Sequence, residues 1–255
     1  MRFLGIIPAR YASTRFPGKP LADMGGKPMI QRVYEQVAAT VDELVVATDD
    51  ERILEAVQQF NGRSILTAST HQSGTDRCYE AFLKSGSNFD VIINIQGDEP
   101  FIQPSQIQLL KNCFSDKDTQ IATLVKPFDK DGDFEQTVMN PNSPKVVLNN
   151  HLEALYFSRS VIPYLRGKVC SEWLKSHTYY KHIGLYAYRS DVLKAITALP
   201  PSSLEIAESL EQLRWLQNGY KIKVAITNQE TIGIDTPEDL EKALLHLSAR
   251  TKSGF

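Results

Sequence analysis

The sequence predicts an α/β protein with a mostly parallel β-sheet. Short apolar runs, typical of strands buried on both faces, alternate with stretches of helical length through the first half of the chain. Several of these predicted strands are followed by charged segments that contain glycine. Open α/β sheets bind their ligands at the carboxyl ends of their strands, so the pattern indicates βαβ units with a ligand site at that edge.

In the first half, strands are predicted at residues 3–8, 43–47, 64–66 and 90–96. Helices are predicted from about 28 to 39, from 49 or 50 to about 60, and over 74–85 and 104–114. Pro28 suits the first turn of its helix, and either Asp49 or Asp50 can cap the next one. Because the strands alternate with helices, we expect the strands to be parallel.

The pattern changes after Thr119. Strands are predicted at 121–127, 146–148, 155–157 and 182–188, with longer connections, and helices at 190–198, 203–218 and 237–247. The segment 129–144 is polar and rich in turn residues, which makes it the best candidate for an insertion. We therefore predict one domain over residues 1–255 with an insert-like region near 128–180.

The composition argues against several classes of protein. The chain has 255 residues, a net charge of −2 and 42% hydrophobic residues, which argues against disorder and against general nucleic-acid binding. No apolar run approaches the ~18 residues that a membrane span needs, and the short first run leads straight into Arg10, unlike a signal peptide. Three widely separated cysteines, Cys78, Cys113 and Cys170, are expected to be ordinary thiols of a cytoplasmic protein.

A basic segment follows the first predicted strand. Residues 1–34 hold six basic side chains and one acid, a local charge of +5, and Arg10, Arg15 and Lys19 are concentrated around Gly18. Arginine and lysine in this density suit a polyphosphate, although a solvated basic loop would have the same composition. Neither a P-loop nor a dinucleotide-binding glycine fingerprint is present, which disfavours those two classes of nucleotide-binding protein.

Two acidic segments suggest a cation site. Asp98 and Glu99 follow the strand at 90–96, and a carboxylate that faces a polyphosphate needs a cation, by default Mg²⁺, between them. The alternative is a turn with solvated acids. Asp235 precedes Thr236 and Pro237, so it can equally well begin the last helix.

Two further segments have both functional and structural interpretations. In HQSGTDR (residues 71–77) the backbone N–H groups of a polar turn could bind a base or a phosphate, or Ser73 or Thr75 could merely cap a helix, with Arg77 on the surface. In YKHIGLYAYR (residues 180–189) His182 and Tyr186 fall on one face of a strand, where tyrosines are most often packing residues.

Taken in order, eight stretches carry a resemblance to one family: IIPARYASTRFPGKPL, VVATDD, HQSGTDR, INIQGDEP, the VVL–ALYFSRS region, KHIGLYAYR, LEIAESLEQLR and GIDTPEDL. They resemble the 3-deoxy-manno-octulosonate cytidylyltransferases, also called CMP-Kdo synthetases. The resemblance implies a Rossmann-like nucleotide-diphospho-sugar transferase fold, a small insert for dimerisation and sugar binding, and a homodimer. It also implies an enzyme that converts CTP and 3-deoxy-D-manno-octulosonate (Kdo) to CMP-Kdo and pyrophosphate with Mg²⁺, for lipopolysaccharide biosynthesis.

The resemblance also assigns residues. Nucleotide binding falls on Ala9, Arg10, Lys19, Ser73 and Arg77, to which we add Arg15 from the same basic segment. Metal binding falls on Asp98 and Asp235, which should lie close together, and Lys19, Arg10 and Asp98 are the expected catalytic residues. The sugar-contacting positions are Gln96, Arg159, His182, Tyr186, Glu211 and Gln212.

Two rival functions stay open at this point. A cytidylyltransferase of the same fold that acts on a sialic acid shares the chemistry, but FPGKPL and HIGLYAYR resemble the Kdo enzymes more closely. A nucleotide-binding module without catalysis would be expected to lack Lys19, Asp98 or Asp235, and all three are present.

Overall fold

A computed structural model describes residues 1–13, 15–230 and 232–252. The chain divides into two compact units, one formed by residues 1–107 with 231–255 and the other by residues 108–230. The predicted insert-like region near 128–180 lies inside the second unit.

The first unit contains four parallel strands, β1 (Phe3–Ala9), β2 (Glu43–Thr48), β3 (Ser64–Leu66) and β4 (Val91–Asn94), in the order β3-β2-β1-β4. Its helices are α1 (Met29–Val37), α2 (Glu51–Gln59), α3 (Gly74–Lys84) and the last helix, α9 (Pro237–Lys252). The helix α4 (Pro104–Cys113) crosses the sequence boundary between the units, and short 3₁₀ turns cover Lys19–Leu21 and Ala38–Thr40. Leu4, Ile6 and Ile7 of β1 are completely buried, as expected for a strand covered on both faces.

Three helices of the first unit begin at side-chain caps. Asp50 accepts a hydrogen bond from Arg52 N at 3.0 Å and caps α2, which decides between the two predicted aspartates. Ser73 caps α3. At α9 the hydroxyl of Thr236 accepts from Asp239 N at 3.2 Å, so Thr236 performs the capping that the sequence also allowed for Asp235.

The second unit contains a mixed sheet. Its strands are β5 (Ile121–Pro127), β6 (Lys145–Leu148), β7 (Ala154–Ser158), β8 (Tyr180–Arg189) and β9 (Ile222–Ile226). β5 runs antiparallel to β8 and parallel to β9, while β6 pairs antiparallel with β7 and β8. The helices are α5 (Trp173–Ser176), α6 (Ser190–Thr197), α7 (Ser203–Glu208) and α8 (Gln212–Gln217), with a 3₁₀ turn at Cys170–Glu172. A small aromatic core of its own holds Phe134, Val138, Trp173, Leu174 and Tyr179 together.

One predicted element is wrong, and two were not predicted. The helix expected over 203–218 is two helices, α7 and α8, because Ser209 adopts a left-handed backbone with φ of 51°. The break frees the carbonyl groups of Glu208 and Ser209, and both accept hydrogen bonds from the Arg159 guanidinium. The strand β9 and the short helix α5 had no sequence prediction.

The α/β class with a mostly parallel sheet is confirmed. The three cysteines are free thiols, with Cys78 buried and Cys170 exposed, and burial raises the pKa of Cys113 to about 11. Within the described ranges, none of the helices combines the length and the apolar character that crossing a bilayer requires.

Candidate active site

A cavity of about 270 Å³ opens at the carboxyl edge of the parallel sheet in the first unit. β1 and β2 end side by side, with Ala9 opposite Thr48, and the segments that leave β1 and β4 form the cavity wall. The lining residues are Pro8, Ala9, Arg10, Ser13, Arg15, Lys19, Pro20, His71, Gln72, Ser73, Gly74, Arg77, Gln96, Gly97, Asp98 and Asp235. Every predicted nucleotide-binding residue, both predicted metal-binding aspartates and Gln96 therefore surround one cavity.

The basic loop, residues 10–19, folds back on itself. Gly18 has φ of 71°, a left-handed backbone that glycine adopts without strain, and its N–H donates to Tyr11 O at 2.9 Å. A Cβ atom at Gly18 would lie 3.1 Å from the ring of Tyr11, so the glycine also permits close packing. This closure places Lys19 directly after the turn, at the start of a 3₁₀ helix.

An arginine from α2 covers the aromatic ring of the basic loop. The guanidinium carbon of Arg52 lies 3.3 Å from the centroid of the Tyr11 ring, within the range of a cation–π contact. Asp50 orients Arg52 through hydrogen bonds to Nε at 2.9 Å and to Nη2 at 2.6 Å. Neither Tyr11 nor Arg52 was predicted from the sequence. An aromatic residue inside a basic segment is the signal that could have identified Tyr11, whereas nothing local marks Arg52.

Lys19 bridges the two predicted metal-binding aspartates. Its Nζ lies 2.6 Å from Asp98 Oδ2 and 3.2 Å from Asp235 Oδ1, and its side chain is only 15% exposed. Arg15 adds a bidentate pair to Asp235, at 3.1 and 3.2 Å. The expectation that Asp98 and Asp235 lie close together is therefore confirmed, since both contact one ammonium group.

The backbone brings these two aspartates together. Ile234 N donates to Asp98 O at 2.9 Å, which fixes the turn before α9 beside the turn that follows β4. Thr236 caps α9, so the carboxylate of Asp235 is available to pair with Lys19 and Arg15. Glycine at position 97 lets the turn after β4 lie close to β1, since a Cβ there would lie 3.2 Å from Pro8 O.

The start of α3 forms another wall of the cavity, and its side chains have structural partners. Ser73 Oγ accepts from Asp76 N at 3.1 Å, which confirms the capping interpretation. Arg77 is 5% exposed, donates to Thr67 Oγ1 at 2.6 Å and lies 3.3 Å from Asp49 Oδ1. The alternative that Arg77 is a surface residue is therefore wrong, and its contact with a nucleotide stays a prediction.

His71 is oriented by a carboxylate of α3. Its Nε2 contacts Glu80, which also accepts from Ala68 N at 2.9 Å and pairs with Lys84 at 2.6 Å. Burial alone would raise the pKa of Glu80, but the hydrogen bonds from Lys84, Ala68 and His71 hold it at about 2. The contact gives His71 a structural partner.

In the second unit, Arg159 is enclosed by backbone oxygens. Its guanidinium donates to Glu208 O at 2.6 Å, Pro141 O at 2.9 Å and Ser209 O at 3.2 Å. Its backbone N–H donates to the Glu208 carboxylate at 2.9 Å, and its carbonyl accepts from the fully buried Lys145. Burial lowers the pKa of Lys145, while the nearby negative charge of Glu208 acts in the opposite direction. This network fixes the position of Arg159.

The predicted sugar residues of β8 and α8 share an aromatic environment. The ring of His182 lies 5.0 Å from Phe157 and 5.3 Å from Tyr186, and Tyr186 packs edge-on against Trp215 at 5.1 Å. Burial lowers the pKa of His182 to about 3, while burial and then the charge of Glu211 raise that of Tyr186 well above its ordinary value.

One of the predicted sugar residues carries a polar atom without a hydrogen bond to any described residue. Gln212 is 5% exposed, yet its Nε2 has no such partner. A buried polar atom without a hydrogen bond costs about 1–3 kcal/mol, and a polar ligand that accepts from Nε2 would offset this cost. Tyr186, which is 7% exposed, has Thr123 as a side-chain hydrogen-bond partner.

The site and fold agree with comparisons to known proteins. A family model described as Cytidylyltransferase matches residues 4–223. A 3-deoxy-manno-octulosonate cytidylyltransferase from Parabacteroides distasonis is 71% identical over 250 residues, which cover 98% of this chain and 100% of that protein. The enzyme of the same name from Bacteroides thetaiotaomicron is 67% identical over 98% of this chain and 100% of its own length.

Solved structures give the same result. A CMP:2-keto-3-deoxy-manno-octonic acid synthetase complexed with CTP matches with a TM-score of 0.88 and 44% identity, over 98% of this chain and 100% of that chain. A 4-diphosphocytidyl-2C-methyl-D-erythritol synthase from Anaerococcus prevotii, at 14% identity and a TM-score of 0.60 over 97% and 99% of the two chains, shares the fold.

These matches show that almost the whole chain forms a cytidylyltransferase. The chain belongs to this family, and within it to the 3-deoxy-manno-octulosonate cytidylyltransferases, as the sequence resemblance implied.

Proposed function

We propose that this protein transfers CMP from CTP to Kdo, giving CMP-Kdo and pyrophosphate for lipopolysaccharide biosynthesis. The observation that carries the proposal is the bridge from Lys19 to Asp98 and Asp235, placed beside the basic loop at the edge of the sheet. Relatives of up to 71% identity named for this activity support the choice of nucleotide and sugar.

The nucleotide is assigned to the cavity of the first unit. A nucleoside triphosphate carries about four negative charges at neutral pH, and Arg10, Arg15 and Lys19 supply fixed positive charges around the cavity. The start of α3 adds backbone N–H groups at its positive end, at Gly74 and its neighbours. Ala9 and Ser73 would border the bound nucleotide, and Arg77 would support the wall from its buried position.

The residues present fit a magnesium ion. Mg²⁺ prefers one or two carboxylates together with phosphate oxygens, and Asp98 and Asp235 offer two carboxylates that already share one cation. We propose that these two residues hold it. When bound, the ion would supply charge neutralisation for the phosphates and acidify a coordinated hydroxyl group.

The chain's own residues then account for phosphoryl transfer by positioning and charge. The anomeric oxygen of the sugar forms a bond to the α-phosphorus, its proton is released, and the bond from that phosphorus to pyrophosphate breaks. Negative charge on the pyrophosphate increases as that bond breaks, and Lys19 and Arg10 would stabilise it. No covalent enzyme intermediate is needed for this in-line displacement.

The sugar acid is assigned to Arg159, His182, Tyr186, Glu211 and Gln212 of the second unit, and the sugar contact of Gln96 stays a prediction from the sequence resemblance. The unpartnered Gln212 Nε2 supports this assignment, because a sugar hydroxyl group can accept a hydrogen bond from it. Arg159 donates three of its N–H groups to backbone oxygens and retains others for the carboxylate of the sugar acid.

We also propose a cytoplasmic homodimer. The free thiols of Cys78, Cys113 and Cys170 support a reducing compartment. Tyr164 and Val169 of the insert-like region, 75% and 63% exposed, are the side chains that we propose for the interface with a second copy.

The decisive experiment measures pyrophosphate release from CTP. We expect release only when CTP, Kdo and a divalent cation are all present. Full turnover in excess EDTA would refute the metal role, and equal turnover with N-acetylneuraminate would refute the sugar assignment. CTP binding without any pyrophosphate release, in the presence of Kdo and Mg²⁺, would instead support a binding module.

A further inference from the structure

A threonine of β5 lies where the pairing with β8 is interrupted. The register changes from Thr123 opposite Tyr186 to Leu124 opposite Ile183, so β8 contains a bulge at this point. Thr123 is completely buried, and its Oγ1 lies 2.9 Å from Leu185 O, 3.2 Å from Ile183 O and 3.1 Å from His182 Nε2. One hydroxyl group thus lies within hydrogen-bond distance of two carbonyl oxygens and one imidazole nitrogen.

The number of available protons decides which form His182 takes. A hydroxyl group has one proton to donate and a carbonyl oxygen can only accept, so we assign the Thr123 proton to Leu185 O, the shortest of the three contacts. An unprotonated Nε2 would then face a lone pair of Thr123 without a proton between them. A hydrogen on Nε2 gives this contact a donor. A donation from the Tyr186 hydroxyl to Thr123 would leave this count unchanged, because it uses the tyrosine's own proton.

The surroundings of His182 keep the ring neutral. Aromatic rings of Phe157 and Tyr186 pack against it, and burial lowers its pKa to about 3. A neutral imidazole carries one hydrogen, so placement of that hydrogen on Nε2 leaves a lone pair on Nδ1. Among the described residues, none forms a hydrogen bond with Nδ1.

We propose that Thr123 is a positioning residue that holds His182 as the Nε2–H tautomer, so that Nδ1 accepts a hydrogen bond from a hydroxyl group of the sugar acid. The inference rests on the proposed role of His182 as a sugar contact. It determines which part of the substrate His182 recognises, because a lone pair attracts a hydroxyl group and repels a carboxylate. The carboxylate of the sugar acid is therefore left to a cationic partner such as Arg159.

The direct test is the protonation pattern of His182 in the intact protein. Long-range ¹H–¹⁵N NMR separates protonated from unprotonated ring nitrogens, and a His182→Gln variant assigns the signals among the five histidines. We expect a neutral ring with hydrogen on Nε2 from pH 7 to pH 5. A ring with hydrogen on Nδ1, or one that is cationic at pH 5, would overturn the proposal without any use of activity.

Substitution of Thr123 tests the functional consequence. Thr123→Val keeps the branched shape and removes the hydroxyl, and Thr123→Ser keeps the hydroxyl. We expect Thr123→Val to give a mixture of tautomers and to raise KM for Kdo about tenfold, the effect of one hydrogen bond, with KM for CTP within twofold. Thr123→Ser should restore both. Parallel losses toward CTP and Kdo, with the tautomer unchanged, would mean that Thr123 only stabilises the bulge.

The role of the histidine is tested separately. We expect His182→Ala to raise KM for Kdo, and an unchanged KM would refute the sugar contact of Nδ1 even if the tautomer is as expected. Absence of pyrophosphate release by the unmodified protein with Kdo, CTP and Mg²⁺ would refute the proposed function itself, which the NMR result does not depend on. If Thr123→Val fails to fold, the tautomer of the unmodified protein still decides the proposal.

Discussion

Substitution of Asp235 by asparagine should remove activity and leave the fold intact. The side chain of Asp235 is 47% exposed, pairs with Lys19 and Arg15, and does not cap α9, because Thr236 does so. Asparagine keeps the shape and the ability to accept hydrogen bonds but loses the charge. The variant therefore separates a role in phosphate chemistry from a role in the helix.

For Asp235→Asn the structure implies a small loss of fold stability and a larger loss of reaction rate. Exposed ion pairs contribute about 0–1 kcal/mol each and Asp235 takes part in two, so Asp235→Asn should lower the free energy of unfolding by about 2 kcal/mol or less. Asp235 is proposed to act through the cation that it holds, and loss of one preorganised stabilising charge at a reacting phosphate typically costs ~10²–10³ in rate, or about 3–4 kcal/mol. The expected loss of transition-state stabilisation thus exceeds the loss of fold stability.

The neighbouring residue provides a matched control. Thr236→Ala removes the cap of α9 and should lower stability by about 1 kcal/mol, with turnover nearly unchanged. Pyrophosphate release as a function of Mg²⁺ concentration and urea unfolding should be measured on both variants. An Asp235→Asn enzyme with normal turnover and normal Mg²⁺ dependence would refute the assignment of this carboxylate to the reaction.

Further predictions concern the supports of the site and the remaining chemistry. Arg52→Ala removes the cation that covers Tyr11, so kcat/KM for CTP should fall two- to fivefold in steady-state kinetics, which corresponds to about 0.5–1 kcal/mol. Unchanged kinetics would mean that the contact of α2 with the basic loop does not support the reaction. Because the pKa of Glu80 is lowered to about 2, its ionised form stabilises the fold above pH ~4.5, and this stabilisation is lost as the pH falls toward 2. Glu80→Gln should therefore cost about 1–2 kcal/mol at pH 7, after allowance for solvent screening, and its difference in free energy of unfolding from the unmodified protein, measured in urea, should narrow below pH 5. The exposed thiol of Cys170 should react quickly with a thiol reagent in the folded protein, the half-buried Cys113 slowly because of its raised pKa, and the buried Cys78 only after unfolding; fast reaction of Cys78 in the folded protein would contradict its burial.

Local sequence patterns predicted the first unit well because the residues that form its strands and cap its helices lie close together in the sequence. Its strands are continuous apolar runs, and two of its helices begin at capping residues that are visible in the sequence, Asp50 and Ser73. The nucleotide cavity was predictable for the same reason, since the charged segments directly follow β1 and β4. The choice between Asp235 and Thr236 as helix cap required the three-dimensional structure, because both residues are chemically suited to it.

Features that depend on distant residues could not be predicted in this way. At the break between α7 and α8, the carbonyl groups of Glu208 and Ser209 accept hydrogen bonds from Arg159, which lies some fifty positions earlier in the sequence. The contact of Arg52 with Tyr11 joins two segments that show no common pattern. Thr123 is an ordinary strand residue by its sequence, and its importance becomes visible only when the bulge in β8 brings His182 to its hydroxyl group.

The charge balance around Lys19 links substrate binding to the reaction. Two carboxylates about 5 Å apart repel by about 3 kcal/mol at an effective dielectric constant of 20, and the ammonium group between Asp98 and Asp235 offsets this repulsion. Arg15 supplies the second positive charge, so these four side chains are neutral in sum. A triphosphate that binds Lys19 and Arg15 draws both positive charges away from Asp98 and Asp235. The two carboxylates then need another cation to offset their repulsion. Nucleotide binding and divalent-cation binding should therefore be coupled, and each should strengthen the other to the same degree.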